Sequence, residues 1–131
     1  MGSLNILLDA CVFIWLCAEP VRLSPTAREL LENPEKAFLV SDVSALEITL
    51  KWTAGKLALP TPPRLWIEEQ IRAWSISQLP LERSDMYRAS ELPSHHADPF
   101  DRLLIATAMN HGAVMLTPDS VIHAYPVAWQ W

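Results

Sequence analysis

The 131-residue sequence has no long apolar run, only two cysteines and no excess of basic residues. No apolar stretch approaches the roughly 20 residues that a membrane-spanning helix needs, so we expect no membrane segment. Residues 1–18 superficially resemble a signal peptide, but Asp9 interrupts their apolar segment, no Lys or Arg precedes that segment and no cleavage site is evident. We therefore expect these residues to belong to the mature fold of a cytoplasmic protein.

The cysteine spacing argues against a disulfide within the chain and against a zinc site. If Cys11 and Cys17 lie on one helix, they are rotated by about 240° and separated by about 9 Å along its axis. That geometry does not allow a disulfide between them. Because no CxxC or Cys/His ligand spacing is present, the sequence also indicates no zinc site.

The charge balance limits how the chain could bind nucleic acid. Ten Lys and Arg against 15 Asp and Glu give a net charge of −5, which weighs against binding by bulk electrostatics alone. It does not exclude a nuclease, because bound metal ions offset clustered acids locally. No Ser/His/Asp or Cys/His arrangement for a covalent nucleophile is evident.

The pattern that is present is an alternation of strands with helices. We predict strands at residues 4–8, 37–40, 76–79 and 113–116, with a last short strand within 125–129. The predicted helices are 12–18, 25–32, 43–54, 64–74, 82–92 and 99–110. This alternation predicts one α/β domain over residues 1–131 with a parallel sheet.

Two acids follow predicted strands directly. Asp9 comes after the first strand and Asp119 comes after the strand at 113–116. Ligands of open parallel sheets bind beyond the carboxyl ends of the strands, so both acids are candidates for a site there. The alternatives are a helix N-cap for Asp9 and turn chemistry for Asp119.

Two more acids interrupt the apolar faces of predicted helices. Glu47 shares a helical face with Val43 and Leu50, and Asp101 shares one with Leu104. For Glu47 the alternative is a surface position at the edge of the stripe, paired with the lysine four residues later.

The residues around these acids have plainer interpretations. Asp98 precedes a proline, so it is either a helix N-cap or a fifth acid of the site. We interpret His95 and His96 as loop or capping residues. Ser44 lies one turn before Glu47 and could orient it or contact a phosphate. Four basic residues are interpreted as solvated surface charges, with phosphate contact as the alternative: Lys51, Lys56, Arg64 and Arg102.

Together the acids predict a metal site. Carboxylates held close together repel and raise one another's pKa unless a cation binds between them. Oxygen donors of this kind favour Mg²⁺ or Mn²⁺. The candidate ligands are Asp9, Glu47, Asp101 and Asp119, with Asp98 as a fifth.

Four segments in this order resemble one known family. They read LLDACVFIWL, SALEITLKWTAGKLALP, LPSHHADPFDRLLIATAM and MLTPDS. They resemble the PIN-domain family and, within it, the VapC-type toxin ribonucleases of bacterial toxin–antitoxin pairs. The resemblance implies a parallel sheet of about five strands with helices on both sides. It also implies Mg²⁺- or Mn²⁺-dependent endoribonuclease activity, an RNA substrate, a cognate antitoxin protein and a homodimer.

The resemblance assigns site residues one by one. It implies that Asp9, Glu47, Asp101 and Asp119 are the catalytic and metal-binding acids, with Asp98 as an additional acid and Ser44 and Thr117 as supporting polar residues. The sequence departs from the family where a Thr or Ser, and often a His, usually follow the first acid. Ala10 and Cys11 occupy those places here.

Other functions remain as alternatives. A non-catalytic PIN-fold binding or regulatory module is favoured by Ala10, which removes a hydroxyl next to Asp9. A receiver-type signalling domain is disfavoured because Ala10 replaces the usual adjacent acid and no Lys occurs after Lys56. A phosphatase of the Asp-x-Asp type is disfavoured because Cys11 stands two residues after Asp9. We also expect a partner surface near Trp15 or Trp52, with packing inside the chain as its alternative.

Overall fold

The computed structural model describes residues 5–131, and five parallel strands form one sheet within them. The strands are β1 (Asn5–Leu8), β2 (Ala37–Ser41), β3 (Ser77–Leu79), β4 (Val114–Leu116) and β5 (Trp129–Gln130). Their order across the sheet is β3-β2-β1-β4-β5, so β1 lies at the centre between β2 and β4. This confirms the predicted α/β class and the sheet of about five strands.

Six α-helices connect the strands. They are α1 (Ala10–Ala18), α2 (Pro25–Leu31), α3 (Asp42–Thr53), α4 (Pro63–Ala73), α5 (Arg83–Glu91) and α6 (Pro99–His111). Two short 3₁₀ helices that were not predicted lie at Pro20–Arg22 and Ile122–Ala124. Within the described part of the chain, no helix is both long and apolar enough to traverse a bilayer.

The last strand lies later than predicted. Residues 125–128 form a bend in which Val127 N donates to Tyr125 O at 2.8 Å, and Pro126 has no N–H to donate. Pairing with β4 therefore starts at Trp129, the one residue shared with the predicted strand. In the first predicted strand, Leu4 lies outside the described residues.

The sheet has an apolar layer on each face. In β1, Ile6 and Leu8 point into the layer built with α1, α2 and α4, while Leu7 points into the layer built with α5 and α6. Phe13 of α1 and Trp66 of α4 meet edge to face, with ring centroids 5.8 Å apart. Helices therefore cover both sides of the sheet, as predicted.

Side-chain caps set the start of α3 and α6, the helices that carry Glu47 and Asp101. Ser41 Oγ accepts a hydrogen bond from Val43 N at 3.0 Å at the start of α3. At the start of α6, Asp98 Oδ1 accepts one from Phe100 N at 2.9 Å. Each cap satisfies a backbone donor that the first turn of a helix leaves free. Both starts lie next to the carboxyl ends of the central strands.

Candidate metal centre

Asp9 lies at the junction of β1 and α1, and its side chain points toward β4. It occupies the N-cap position of α1 but makes no side-chain cap hydrogen bond. Its Oδ2 accepts a hydrogen bond from Thr117 Oγ1 at 2.7 Å, and the residue is 6% exposed. The N-cap alternative therefore does not account for this carboxylate.

Thr117 joins two of the predicted acids. Its hydroxyl donates to Asp9 Oδ2 and accepts a hydrogen bond from Asp119 N at 3.1 Å. The residue is fully buried just beyond β4, so this contact is shielded from water. Thr117 thereby fixes the end of β1 against the turn that carries Asp119.

Glu47 points inward from α3 and is 9% exposed. Its Oε2 lies 3.0 Å from Lys51 Nζ, so the i,i+4 pair considered above is present, yet it does not place Glu47 on the surface. The other oxygen, Oε1, is buried without a hydrogen-bond partner among residues 5–131, and so is Ser44 Oγ. A buried carboxylate oxygen without a donor is costly unless something else binds it.

The carboxylates of Asp101 and Asp119 both contact the side chain of His96. Nε2 of His96 lies 2.9 Å from Asp101 Oδ2 and 3.1 Å from Asp119 Oδ2. One ligand atom from each of the three residues lies within 4.8 Å of the other two, a spacing that could hold a metal ion. Asp119 also accepts a hydrogen bond from Val121 N through its Oδ1, which is the turn chemistry proposed as its alternative.

The acids act on one another electrostatically. Burial raises the pKa of Asp9, and the charges of Glu47 and Asp119 raise it further, while the hydrogen bond from Thr117 opposes them. Burial is also the largest of the causes that raise the pKa of Asp101 to about 7. The charges of Asp9 and Asp98 add to that increase, and His96 opposes it. The structure thus brings the four main predicted acids into one region at the carboxyl end of β1 and β4.

Asp98 lies beside this group. It caps α6, and its charge contributes to the raised pKa of Asp101. It also lines an open cavity of about 370 Å³ together with Glu47, Lys51 and Lys56. Both interpretations of Asp98, the cap and the fifth acid, are therefore compatible with its position.

Two residues have roles that sequence reasoning missed. His96 was interpreted as a loop or capping residue, but it contacts two of the acids. Arg102 was interpreted as a solvated surface charge, which is wrong. Its guanidinium donates to the carbonyls of Ala89, Leu92 and Pro93 at 2.7, 3.0 and 2.8 Å, holding the end of α5 to α6. The one sequence signal for the role of His96 was its position two residues before Asp98.

The residues present fit a hard divalent cation. Four carboxylates supply oxygen donors, and the unpartnered Oε1 of Glu47 is an acceptor that a cation could use. Mg²⁺ and Mn²⁺ prefer oxygen ligands, whereas structural zinc sites are typically built from Cys and His. Cys11 and Cys17 are free thiols, and burial is the main cause that raises the pKa of each, so thiolate ligation is disfavoured.

Comparison with known proteins identifies the family. The family model for the PIN domain matches residues 6–127. This chain belongs to the PIN-domain family. Ribonuclease VapC22 of Mycobacterium tuberculosis is 31% identical to this PIN domain over 122 residues, which is 92% of each chain.

Solved structures of related complexes have the same fold. The PIN domain resembles a chain of VapBC2 from Rickettsia felis bound to a promoter DNA fragment, with a TM-score of 0.70 and 10% identity over 97% of this chain and 98% of that chain. It also resembles a chain of DNA-bound VapBC from Salmonella typhimurium, with a TM-score of 0.65 and 17% identity over 98% of both chains. At these identities the likeness concerns the fold.

Proposed function

We propose that this PIN domain is a metal-dependent endoribonuclease that hydrolyses RNA phosphodiester bonds as the toxin of a type II toxin–antitoxin pair. The observation that carries the proposal is the convergence of four acids, with an unpartnered buried oxygen on Glu47, at the carboxyl end of the sheet. The 31% identical relative is named a ribonuclease, which supports RNA as the substrate.

The residues proposed to hold Mg²⁺ or Mn²⁺ are Asp9, Glu47, Asp101 and Asp119, with Asp98 at the edge of the group. The chemistry that a bound divalent cation supplies is activation of water and neutralisation of charge on the phosphate oxygens. Because Asp9 lies at the start of α1, Glu47 on α3 and Asp101 on α6, the positions of these three acids are set before substrate binds.

The protein's own groups have distinct tasks in this proposal. Thr117 holds the Asp9 carboxylate by its 2.7 Å hydrogen bond, so that one Asp9 oxygen has a fixed direction. One carboxylate of the cluster accepts the proton of the attacking water, as general-base catalysis requires. No covalent nucleophile is needed for in-line attack by water.

The cavity beside Glu47 provides a path for the RNA backbone. Lys51 and Lys56 line it, and Phe100 forms another part of its wall. Lys51, which also pairs with Glu47, and Lys56 provide ammonium groups beside the acids that can donate hydrogen bonds to a phosphate oxygen. We propose that a phosphate next to the cleaved bond lies here.

An exposed apolar surface supports the partner proposal. Leu46, Leu50 and Trp52 of α3 are 50%, 48% and 38% exposed, next to the proposed RNA path. We propose that the cognate antitoxin covers this surface and that a basic side chain of the antitoxin pairs with the acids. We further propose that the protein is a homodimer and acts in the cytoplasm. The similar solved structures include toxin–antitoxin complexes.

RNA cleavage with controlled metal tests the proposed function. Purified protein should cleave RNA with Mg²⁺ or Mn²⁺, lose activity in EDTA and regain it when the ion is added in excess. Asp9→Asn should remain folded and inactive, because a neutral amide binds a cation poorly. Cleavage that persists in both EDTA and the Asp9→Asn variant would refute the mechanism.

A non-catalytic PIN-fold module is the second candidate. Ala10 favours it, since the usual hydroxyl after the first acid is missing and the residue is buried. Under this alternative the wild type binds the ion and the antitoxin but leaves RNA intact. The cleavage assay with calorimetry of ion binding on the same sample separates the two functions.

A further inference from the structure

His96 is held on both sides of its imidazole ring. Nδ1 lies 3.2 Å from the backbone N of Asp98, and Nε2 lies 2.9 and 3.1 Å from the nearest oxygens of Asp101 and Asp119. The side chain is 18% exposed, so water competes only weakly for these contacts. The ring therefore connects the start of α6 to the turn after β4.

These partners determine which ring nitrogen carries the hydrogen. The backbone N–H of Asp98 can only donate, so Nδ1 must accept and has no hydrogen. Nε2 then carries the hydrogen of the neutral ring and shares it between the two carboxylates. A nitrogen that carries a hydrogen has no free lone pair, so His96 in this position is a donor to the acids and not a metal ligand.

The loop around His96 is anchored as well. His96 N donates to the Tyr125 hydroxyl at 2.7 Å, and that hydroxyl donates to Pro93 O at 2.7 Å. Arg102 donates to Pro93 O at 2.8 Å from α6. The loop between α5 and α6 is therefore tied to two other parts of the fold, which fixes where the ring lies.

We propose that His96 is a positioning residue that holds Asp101 and Asp119 together so that both can serve one cation. The inference rests on the proposed metal-dependent function. Two carboxylates this close repel, and a shared N–H donor offsets the repulsion while leaving other lone pairs of each oxygen free for a cation. Groups that hydrogen-bond to metal-ligating residues are commonly worth about 10- to 100-fold in metal affinity or activity.

Titration of Mn²⁺ and Mg²⁺ into the full-length protein tests the inference. Calorimetry should give a Kd about 10- to 100-fold weaker for His96→Ala than for the wild type. His96→Gln should recover part of this loss, because its amide can donate to both carboxylates. His95→Ala is the matched control, since His95 is exposed and lies against the Tyr125 ring rather than the acids. Its Kd should equal that of the wild type.

Nitrogen-15 NMR of the metal-free wild type tests the donor geometry on which the inference depends. The His96 ring should show a protonated Nε2 and an unprotonated Nδ1, and the reverse tautomer would overturn the inference. The wild-type spectrum and the Kd of His96→Gln for Mn²⁺ test the inference even if His96→Ala does not fold. If His96→Ala binds Mn²⁺ as tightly as the wild type or more tightly, the inference alone fails. A wild type that binds neither ion overturns the proposed cofactor together with the inference.

Discussion

Two regions of this fold bury acidic side chains, and they differ in the hydrogen-bond donors that they supply to the carboxylate oxygens. Asp85 of α5 is fully buried, and each of its oxygens has a donor: Asn110 Nδ2 at 2.8 Å and Glu82 N at 3.0 Å. Glu47 is nearly as buried, yet its Oε1 has no hydrogen-bond partner in the part of the chain described. Burial alone therefore does not identify a functional carboxylate here.

The difference lies in the donors that surround each group. Asp85 belongs to a capping box with Glu82 at the start of α5, which gives it a complete structural role. In the candidate metal centre the acids share few donors, and burial together with the charges of neighbouring acids raises the pKa of Asp9 and Asp101. A buried carboxylate oxygen without a donor, among acidic neighbours, fits the proposed cation site better than a structural role.

The largest expected effect is a difference in RNA cleavage between variants of the two regions. Asp9→Asn should lower RNA cleavage by at least about 100-fold, because it removes a proposed metal ligand that contributes several kcal/mol to the transition state. Cleavage rates under single-turnover conditions, at saturating Mn²⁺, give the comparison. Asp85→Asn is the control and should cleave at close to the wild-type rate. Equal losses in the two variants would contradict the distinction.

The next effect is a difference in the free energy of unfolding between variants of the two regions. Asp85→Asn should lower the free energy of unfolding by about 1–3 kcal/mol, since its new amide group would face donors that need an acceptor. Urea unfolding in EDTA, followed by circular dichroism, measures this. Asp9→Asn should cost less or even stabilise the metal-free protein, because it removes a charge from a repelling group. A larger loss for Asp9→Asn than for Asp85→Asn would argue against repulsion in the metal centre.

The pH dependence of stability should follow the same difference. The folded pKa of Asp101, about 7, exceeds its ordinary value of 3.8, so the folded state retains this proton over that range while the unfolded chain loses it. Rising pH between these values therefore lowers the stability of the metal-free protein, and the effect levels off above pH 7.

The variant Asp101→Asn isolates the contribution of Asp101 to this pH dependence. Asp101→Asn cannot titrate, so it should gain stability relative to the wild type from pH 5 to pH 8, by on the order of 1 kcal/mol. Urea unfolding at both pH values in EDTA measures the difference. Adding Mn²⁺ to the wild type at pH 8 should restore stability. A wild type and variant with parallel pH profiles would show that Asp101 is not perturbed.

The smallest effect concerns the departure at Ala10. Asp9 already accepts a hydrogen bond from the Thr117 hydroxyl, so Ala10→Thr should change the cleavage rate by less than about threefold. Thr117→Val is the informative counterpart and should lower the rate by about 10-fold or more. A large gain in Ala10→Thr would instead show that the missing hydroxyl limits activity.

Local patterns were enough to predict much of this architecture. The continuous apolar run of β1 and the interruption of the α3 stripe by Glu47 are visible in the sequence, because each depends on neighbours a few residues away. The positions of the acids predicted a shared metal site, and the resemblance to the PIN-domain family then assigned each acid its place in that site. Their spatial grouping depends on β1 lying next to β4.

The features that were missed depend on contacts across long stretches of chain. The position of His96 is set by Tyr125, 29 residues later, and by Arg102 from the next helix. Asp85 meets Asn110 across 25 residues, which no helical pattern reveals. The start of β5 was missed because a two-residue strand carries almost no periodic signal.

The order of the strands has a consequence for synthesis of the protein. The hydrogen bond between Asp9 and Thr117 joins residues 108 positions apart, and β4 pairs with the first strand of the chain. Synthesis of the chain produces Asp9 and Glu47 well before Thr117 and Asp119. Because long-range strand pairs form only once both segments are available, the candidate centre assembles only after β4 and the turn that follows it have been synthesised. A nascent chain that ends before β4 therefore lacks both the hydrogen bond from Thr117 to Asp9 and the carboxylate of Asp119.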